Sequence, residues 1–374
     1  MKVLVTGAKG FIGKNLVSHL SECDDVDVLE YDRDNDPSLI EDNIDKMDFI
    51  VHLAGVNRPE KTSEFYAGNV GSIEGILSIL KERKLKIPVI LTSSVHAQGD
   101  TDYGKSKKQA EDAVLAYGNG SVVYRLNNVF GKWCRPNYNS AVATFCDGVA
   151  NDKEITVNDR KTEVELIYID DVVDEIVRVV RGNKPSHKKG NYCFVKPSYK
   201  VSLGYIVDLL RSFKESISTP FVPNVGDEFV KKLYATFISY VPLLDLAVSL
   251  VNNVDERGSF VELVKTKESG QFSISFSKPN VIRGNHYHHT KIERFMVIKG
   301  KAKISFRHII ENTTYEIVVD DSDVKTVTIP PGYTHRIENI GGGEMILMIW
   351  CNELFDKDKP DTYFMDTEVK KEKK

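Results

Sequence analysis

The chain has 374 residues, enough for two domains at about 150 residues each and too many for one small module. Lysine and arginine number 50 against 54 aspartates and glutamates, a formal net charge of -4, so nucleic acid and anionic membrane are not expected partners. Apolar residues make up 41% and charged residues 28%, a globular composition, and no run approaches the roughly 18 uncharged apolar residues of a membrane span.

The N-terminus opens as a strand running into glycine and not as a signal peptide, which points to a cytoplasmic protein. Five cysteines, Cys23, Cys134, Cys146, Cys193 and Cys351, form no CxxC pair and read as reduced thiols. Of nine histidines, five (His286, His288, His289, His308, His335) fall in the last third.

From Met1 to about Val180, apolar runs alternate with amphipathic stretches. They are Val3 to Val5, a helix near Gly13 to Leu20, Val26 to Leu29, Phe49 to Leu53, a helix near Val70 to Lys81, Val89 to Leu91, a helix near Lys105 to Tyr117, and Val122 to Tyr124. Strands separated by helix-length segments pair in parallel through crossovers, so this region is predicted to be α/β with a doubly wound sheet. Leu203 to Lys214 reads as a helix, and Phe229 to Leu250 as an apolar, aromatic stretch broken at Pro242. After Asn252 the runs are strand-sized and separated by turn residues: Gln271 to Ser277, Phe295 to Ile298, Ala302 to Phe306, Tyr315 to Val319, Val327 to Ile329 and Met345 to Trp350. That texture predicts an antiparallel barrel or sandwich. The expected division is residues 1–245 and 246–369, and the charged tail Glu368 to Lys374 is expected to fray.

Gly7, Lys9, Gly10, Phe11, Ile12 and Gly13 lie in a GxxGxxG turn between the first strand and a helix. Glycines admit a pyrophosphate close to the backbone, and the helix N-terminus offers free amides. Asp32 and Arg33 follow the second strand, where an acid would bond the ribose of NAD and an arginine would cradle the 2′-phosphate of NADP. Leu53, Ala54 and Gly55 would floor the adenosine side. Ser94 ends a strand and Tyr103 and Lys107 open a helix. Four residues apart, tyrosine and lysine share a helix face, so the ammonium is expected to lower the phenol pKa and make it a usable proton donor.

These residues resemble the extended short-chain dehydrogenase/reductases that act on nucleotide sugars, with support from Asn69, from RLNNVFG (Arg125 to Gly131) and from YIDDV (Tyr168 to Val172). The resemblance implies a Rossmann-type fold, Tyr103 as general acid, Ser94 as the group that polarises the carbonyl, Lys107 on the cofactor ribose, and Asn69 beside the cofactor. Only eight residues separate Ser94 from Tyr103, a shorter connection than in many such enzymes.

In the last third, His286 and His288 form HxH, followed by Glu293, and His335 lies in PxGxxHxxxN. Residues two apart on a strand face the same way, so both imidazoles can enter one lumen, and three histidines with a carboxylate suit a divalent metal such as zinc. The pattern resembles the cupin signature, which implies a double-stranded β-helix barrel. A narrower resemblance to the deoxysugar-nucleotide 3,5-epimerase branch of the cupins runs from Asp255 to Tyr287. In that branch the histidine matching His286 is a base and no metal is needed, whereas His288 and Glu293 suggest recruitment of His286 to a metal.

Together the two halves resemble the bifunctional reductase-epimerases of capsule and O-antigen synthesis, including GKWCRPNYNS (Gly131 to Ser140), RGNHYHHTK (Arg283 to Lys291) and FDKDKPDTYF (Phe355 to Phe364). That resemblance implies a UDP-sugar substrate, NADPH, a divalent metal and a homodimer formed through the cupin. It also implies substrate contacts at Asn128, Arg135, Arg257, Glu262 and His289. The other reading keeps the reductase, acting on another 4-keto-6-deoxy nucleotide sugar, and makes the barrel a non-catalytic, metal-stabilised dimerisation module.

Overall fold

The structure is a computed structural model that describes residues 1–368; the remainder of the tail for which fraying is expected lies outside the described residues. The chain divides into two compact units. One holds Met1–Arg211 and Glu228–Pro242; the other holds Ser212–Asp227 and the described chain from Leu243 onward. A single cut near residue 245 therefore describes the chain incompletely. The stretch after the helix Leu203–Ile217 joins the second unit because Lys265 and Val222 exchange backbone bonds with it: Val222 N–H donates to the Lys265 carbonyl at 2.9 Å and Lys265 N–H to the Pro220 carbonyl at 2.8 Å.

The first unit is built on β1 (Lys2–Thr6), β2 (Asp27–Tyr31), β3 (Phe49–His52), β4 (Val89–Ser94) and β5 (Val122–Leu126). They pair in parallel in the order β2-β1-β3-β4-β5, extended by Tyr192–Phe194 and then His187–Lys189. β3 and β4 are buried along their whole length, as strands of a parallel sheet covered on both faces are, with the polar His52, Thr92, Ser93 and Ser94 gathered at their carboxyl ends. On one face lie the helices α1 (Phe11–Ser21) and Ile169–Val180, whose Ile169, Val172, Val173, Ile176 and Val180 recur at helical spacing in the core. On the other face lie Ser72–Glu82 and Asp102–Tyr117, through Ile73, Leu77, Leu80, Ala110 and Val114. The chain leaves β1 for β2 on one side and returns to β3 on the other. The crevice in which such sheets bind ligands thus opens at the carboxyl ends of β1 and β3, where the glycine turn stands.

Apart from the end of the helix Leu203–Ile217 and the short turn Leu243–Leu246, the second unit is built of β-strands, with antiparallel pairing throughout those named. One sheet orders Asn252–Asp255, Gly258–Thr266, Gly270–Ser277, Met345–Cys351, Glu293–Lys299 and Thr326–Ile329. The other orders Thr314–Asp320, Lys301–His308, Tyr333–Asn339, Ile282–Tyr287 and Tyr363–Phe364. Phe295, Val297, Ile304, Phe306, Ile329, Ile337 and Leu347 fill the space between them. This is the expected cupin barrel. Its strand Gly270–Ser277 is unusual in burying Gln271, Ser273, Ser275 and Ser277, a polar stripe at period two. No helix of the described residues is long and apolar enough to cross a membrane.

One polar cluster lies deep in the first unit. Arg125 on β5 donates to both carboxylate oxygens of Glu111, at 2.9 and 2.6 Å, and Ser93 Oγ donates to the same carboxylate at 2.7 Å. The Arg125 guanidinium also lies 3.5 Å from the Tyr192 ring centroid. Removing one member strands a buried charge, which costs far more than the pair contributes. Arg125→Ala should lower stability in urea denaturation by about 3–5 kcal/mol, and a paired apolar replacement of Arg125 and Glu111 should recover much of that loss. A loss under about 1 kcal/mol in the single variant would contradict the pairing.

Candidate active sites

The glycine turn is dictated by close packing. Gly7 has φ +70°, and a Cβ there would come 2.7 Å from the Ala54 nitrogen; at Gly13 a Cβ would come 2.2 Å from the Gly7 carbonyl oxygen. The turn can approach the segment after β3 only without a side chain at Gly7, and α1 can pack onto the turn only without one at Gly13; Leu53 N–H donates to the Thr6 carbonyl at 3.1 Å across the gap. Gly10 precedes α1 with no side-chain cap and no acid in the first turn, so the helix presents bare amides to the crevice. Phe11 and Ile12 pack against the core.

The turn after β2 is tied to this loop. Asp32 accepts from Lys9 N–H at 2.9 Å and from Arg33 N–H at 2.8 Å, so both its oxygens are engaged by amides. The Lys9 ammonium pairs with Asp34. Arg33 is exposed, and its guanidinium makes no hydrogen bond or ion pair among the described residues.

Thr101 caps the helix Asp102–Tyr117, its hydroxyl accepting from Gly104 N–H at 3.1 Å, which sets Tyr103 in the first turn. Ser94 ends β4 and accepts from His96 N–H at 3.2 Å as the chain reverses through Val95–Gln98. The short connection still leaves the Ser94 hydroxyl near enough to the Tyr103 phenol to lower it. Lys107 is only 8% exposed and donates to the Thr92 carbonyl at 3.0 Å.

The electrostatics differ from the sequence expectation in one respect. Burial pushes the Tyr103 phenol up, and the influence that lowers it is the Ser94 hydrogen bond. The Lys107 ammonium is instead held to Thr92, and burial brings it down to about 8 against the opposing charge of Glu111.

Asn69 sits in a π-helical turn, Ala67–Gly71, and is buried. Its Oδ1 accepts from Val56 N–H at 2.8 Å, and its Nδ2 donates to the Val56 carbonyl at 3.1 Å and to Ser106 Oγ at 3.0 Å. It brackets the segment after β3, including Gly55, to the helix of Lys107; a Cβ at Gly55 would meet Asn69 Oδ1 at 2.8 Å and Lys107 Nζ at 3.5 Å. Asn128 and Arg135 are both exposed, Arg135 lying over the Tyr138 ring at 5.4 Å, and among the described residues no hydrogen bond or ion pair joins either to Ser94, Tyr103 or Lys107.

In the barrel, His286, His288, Glu293 and His335 offer one donor atom each, all within 4.8 Å of one another. His335 Nε2 is 3.0 Å from Glu293 Oε2, and His288 Nε2 is 3.6 Å from it, too long for a hydrogen bond. That His288 nitrogen is buried with no hydrogen-bond partner, an atom in want of a ligand. The outer nitrogens are held by carbonyls: His288 Nδ1 at 2.5 Å from Asp361 O, His335 Nδ1 at 3.4 Å from Tyr333 O. Carbonyl partners on Nδ1 leave the Nε2 lone pairs for a metal.

Burial brings the His286 imidazole down to about 4. Against the upward push of burial, the neighbouring His288 and His335 hold the Glu293 carboxyl well below the carboxylate range. A neutral imidazole at His286 and an ionised carboxylate at Glu293 are ligand forms that suit a divalent cation, and with the unpartnered His288 Nε2 the residues present fit one.

The other barrel residues are placed differently. Arg257 closes on Asp255, Nε to Oδ2 at 2.8 Å, and Glu262 pairs with Lys265 at 2.6 Å. His289 is exposed and packs its ring against Tyr287 and Tyr363, so it does not join the four donors. Sequence reasoning gave no role to Glu111, Asn352 and Asp361, and none to the main-chain carbonyl of Thr92. Thr92 acts through its main-chain carbonyl, and Asp361 lies far along the chain from the ligands it touches, so neither leaves a local spacing to read.

Residues 3–192 match the NAD dependent epimerase/dehydratase family, and residues 253–363 match the family described as polysaccharide biosynthesis C-terminal domain. The UDP-2-acetamido-2,6-β-L-arabino-hexul-4-ose reductase of Pseudomonas aeruginosa is 42% identical over 97% of this chain and 98% of its own. The chain belongs to this reductase family. The capsular polysaccharide assembling protein CapF of Staphylococcus aureus superposes with a TM-score of 0.90 at 44% identity, covering 98% of this chain and all (100%) of that one. CapF with the inhibitor 3-isopropenyl-tropolone superposes at 0.86 with 41% identity, over 98% of this chain and 100% of that one.

Membership makes the chain an oxidoreductase with a nicotinamide cofactor. The glycine cradle, the bare amides of α1 and the Ser94–Tyr103 pair fit that cofactor. A reductase of this family should lose ketone-reducing turnover as pH rises through about 8, where the Lys107 ammonium gives up its proton, and should hold a plateau below. A pH-rate profile of cofactor oxidation at saturating substrate checks this; turnover undiminished well above pH 8 would exclude a charged Lys107 from the step.

Proposed function

We propose that the chain is a bifunctional nucleotide-sugar enzyme. Its barrel epimerises UDP-2-acetamido-2,6-dideoxy-β-L-arabino-4-hexulose at C3. Its N-terminal unit then reduces the C4 ketone with NADPH to UDP-2-acetamido-2,6-dideoxy-β-L-talose, for UDP-N-acetyl-L-fucosamine and capsule or O-antigen synthesis. The observation that carries the reading is the presence of two separate chemical centres, Ser94–Tyr103–Lys107 and His286–His288–Glu293–His335, in a chain that matches the P. aeruginosa reductase end to end.

The order of steps follows from acidity. The C3 hydrogen is labile only while the C4 ketone can delocalise the carbanion, and reduction removes that ketone. Bound NADPH supplies the hydride to C4. Ser94 bonds the ketone oxygen and orients it, and the Tyr103 phenol, protonated because burial raises it, gives its proton to that oxygen. Lys107 would present its ammonium to the cofactor ribose, and Asn69 ties the segment after β3 to the helix that carries it.

In the barrel a divalent metal, zinc by its donor set, supplies Lewis acidity to the sugar ketone. The related CapF complex is consistent with a metal, since tropolones chelate through two adjacent oxygens. His286, His288, Glu293 and His335 would hold the ion, and Arg257 and Glu262 would reach the nucleotide sugar after releasing Asp255 and Lys265.

Arg33 favours NADPH, because Asp32 is committed to amides while the guanidinium beside it is free to meet a phosphate. Homodimerisation through the barrel is supported by the apolar run entering it, where Leu243, Leu244, Val251 and Val254 are all exposed, Leu244 by 88%. Free thiols and a nucleotide-sugar substrate suit the cytoplasm.

Two measurements test the reading. In D2O with metal present, the full-length Tyr103→Phe variant should still place deuterium at C3 while cofactor oxidation falls by at least about 100-fold. No exchange in the parent would leave the barrel as a metal-stabilised pairing module, and loss of both activities in a folded variant would defeat the two-centre scheme. Separately, Arg33→Ala should raise the KM for NADPH about 10-fold or more and leave that for NADH nearly unchanged, as expected for a charge-assisted phosphate contact. Equal effects on the two cofactors would remove Arg33 from that role.

A further inference from the structure

Two of the four donors, His288 and Glu293, are joined by only His289, Thr290, Lys291 and Ile292, and all four connecting amides are accepted by side chains from later in the sequence. The Asp361 carboxylate takes the N–H of His289 at 3.0 Å, of Thr290 at 2.8 Å and of Lys291 at 2.9 Å, and also the Thr290 hydroxyl at 3.0 Å. Asn352 Oδ1 takes the Ile292 N–H at 2.7 Å.

The same Asp361 reaches the centre a second way, since its main-chain carbonyl lies 2.5 Å from His288 Nδ1. Its φ of +40° is a conformation that a residue with a Cβ adopts rarely, so the surrounding bonds hold it there. Those bonds continue along the strap. Lys291 Nζ donates to the Pro360 carbonyl at 2.7 Å, Tyr363–Phe364 pairs with the strand Ile282–Tyr287, and Met365 N–H donates to the Asn285 carbonyl at 2.9 Å.

We propose that Asp361 is a positioning residue of the metal centre. Its carbonyl selects the Nδ1–H tautomer of His288 and turns Nε2 toward Glu293 and His335, while its carboxylate sets the loop that delivers Glu293 to the same point. A carboxylate accepting consecutive amides is a charge-assisted clamp, and four residues are too few to hold two ligands in register unless their amides are anchored. The second unit thereby completes its centre only when the strap from Pro360 to Thr367 is laid across it, where Thr367 N–H also meets Asn285 Oδ1 at 3.3 Å. This inference rests on the metal-site reading above.

The test uses the full-length protein, stripped of metal and titrated with Co2+ against a chromophoric chelator, with the d–d absorption of the loaded form as a record of coordination geometry. The parent should take up one Co2+ at the four donors. Asp361→Ala should bind about 10- to 100-fold more weakly and show an altered d–d spectrum at saturation. Asp361→Asn, which is isosteric and keeps the carbonyl and one acceptor oxygen, should fall between and remain folded by near-UV circular dichroism. Parent-like affinity and spectrum in folded Asp361→Asn and Asp361→Ala would overturn the proposal, as would a lowered melting temperature with an unmoved spectrum. If Asp361→Ala does not fold, the Asn variant alone decides by the same criterion. A parent that binds no Co2+ overturns the metal reading itself, a result distinct from failure of the Asp361 assignment.

Discussion

A buried ammonium must be met by oxygen, and the first unit is arranged around that demand. Lys107 is enclosed beneath the crevice and has the Thr92 carbonyl as its partner at 3.0 Å. That bond sets how closely the helix Asp102–Tyr117 approaches β4, and the same two elements carry Tyr103 and Ser94. One turn beyond Lys107, Glu111 is clamped by Ser93 and Arg125, so the helix is pinned to β4 and β5 at a second point. Asn69 adds a third, from the opposite side, through Ser106. The placing of the Tyr103 phenol and the Ser94 hydroxyl thus follows from satisfying buried polar groups.

The barrel meets the same requirement with the opposite charge. Glu293 is a carboxylate enclosed by imidazoles, and its neighbours keep it ionised although burial alone would protonate it. Each outer histidine nitrogen that faces a carbonyl is oriented by it, and the space beyond is filled by Phe295, Ile337 and the rest of the apolar core. The centre is consequently a polar island whose members are aligned by backbone groups. One of those groups, at Asp361, belongs to the last described part of the chain.

Much of this was legible in advance because it is local. The glycine turn follows from backbone approach, the Tyr103 and Lys107 pairing from helix periodicity, and the HxH of His286 and His288 from strand periodicity. The strand runs from Gln271 to Trp350 each fall within an observed strand, for alternation and turn residues are local as well. Less legible were the partners of those groups. The sequence expectation sets the Lys107 ammonium against the phenol, but the hydrogen bond it makes is to the Thr92 carbonyl, and main-chain acceptors carry no sequence signature. His289 reads like its neighbours in the string HYHH, yet its ring lies with Tyr287 and Tyr363 and not with the donors.

The sequence by itself determined which groups share a face: a glycine turn before a helix, Tyr103 and Lys107 on one helix face, His286 and His288 on one strand face, and the two fold classes that display them. Those depend on residue type and on spacings of two, three and four, which covalent geometry converts directly into shared faces. Tertiary structure alone decided what each group is bonded to, that Ser212–Asp227 joins the barrel unit, and that Asp361 closes the loop between His288 and Glu293. Such contacts join residues about 70 positions apart, as Asp361 and Lys291 are, and are chosen by the need to satisfy every buried amide and charge, a condition that exists only once the chain is packed.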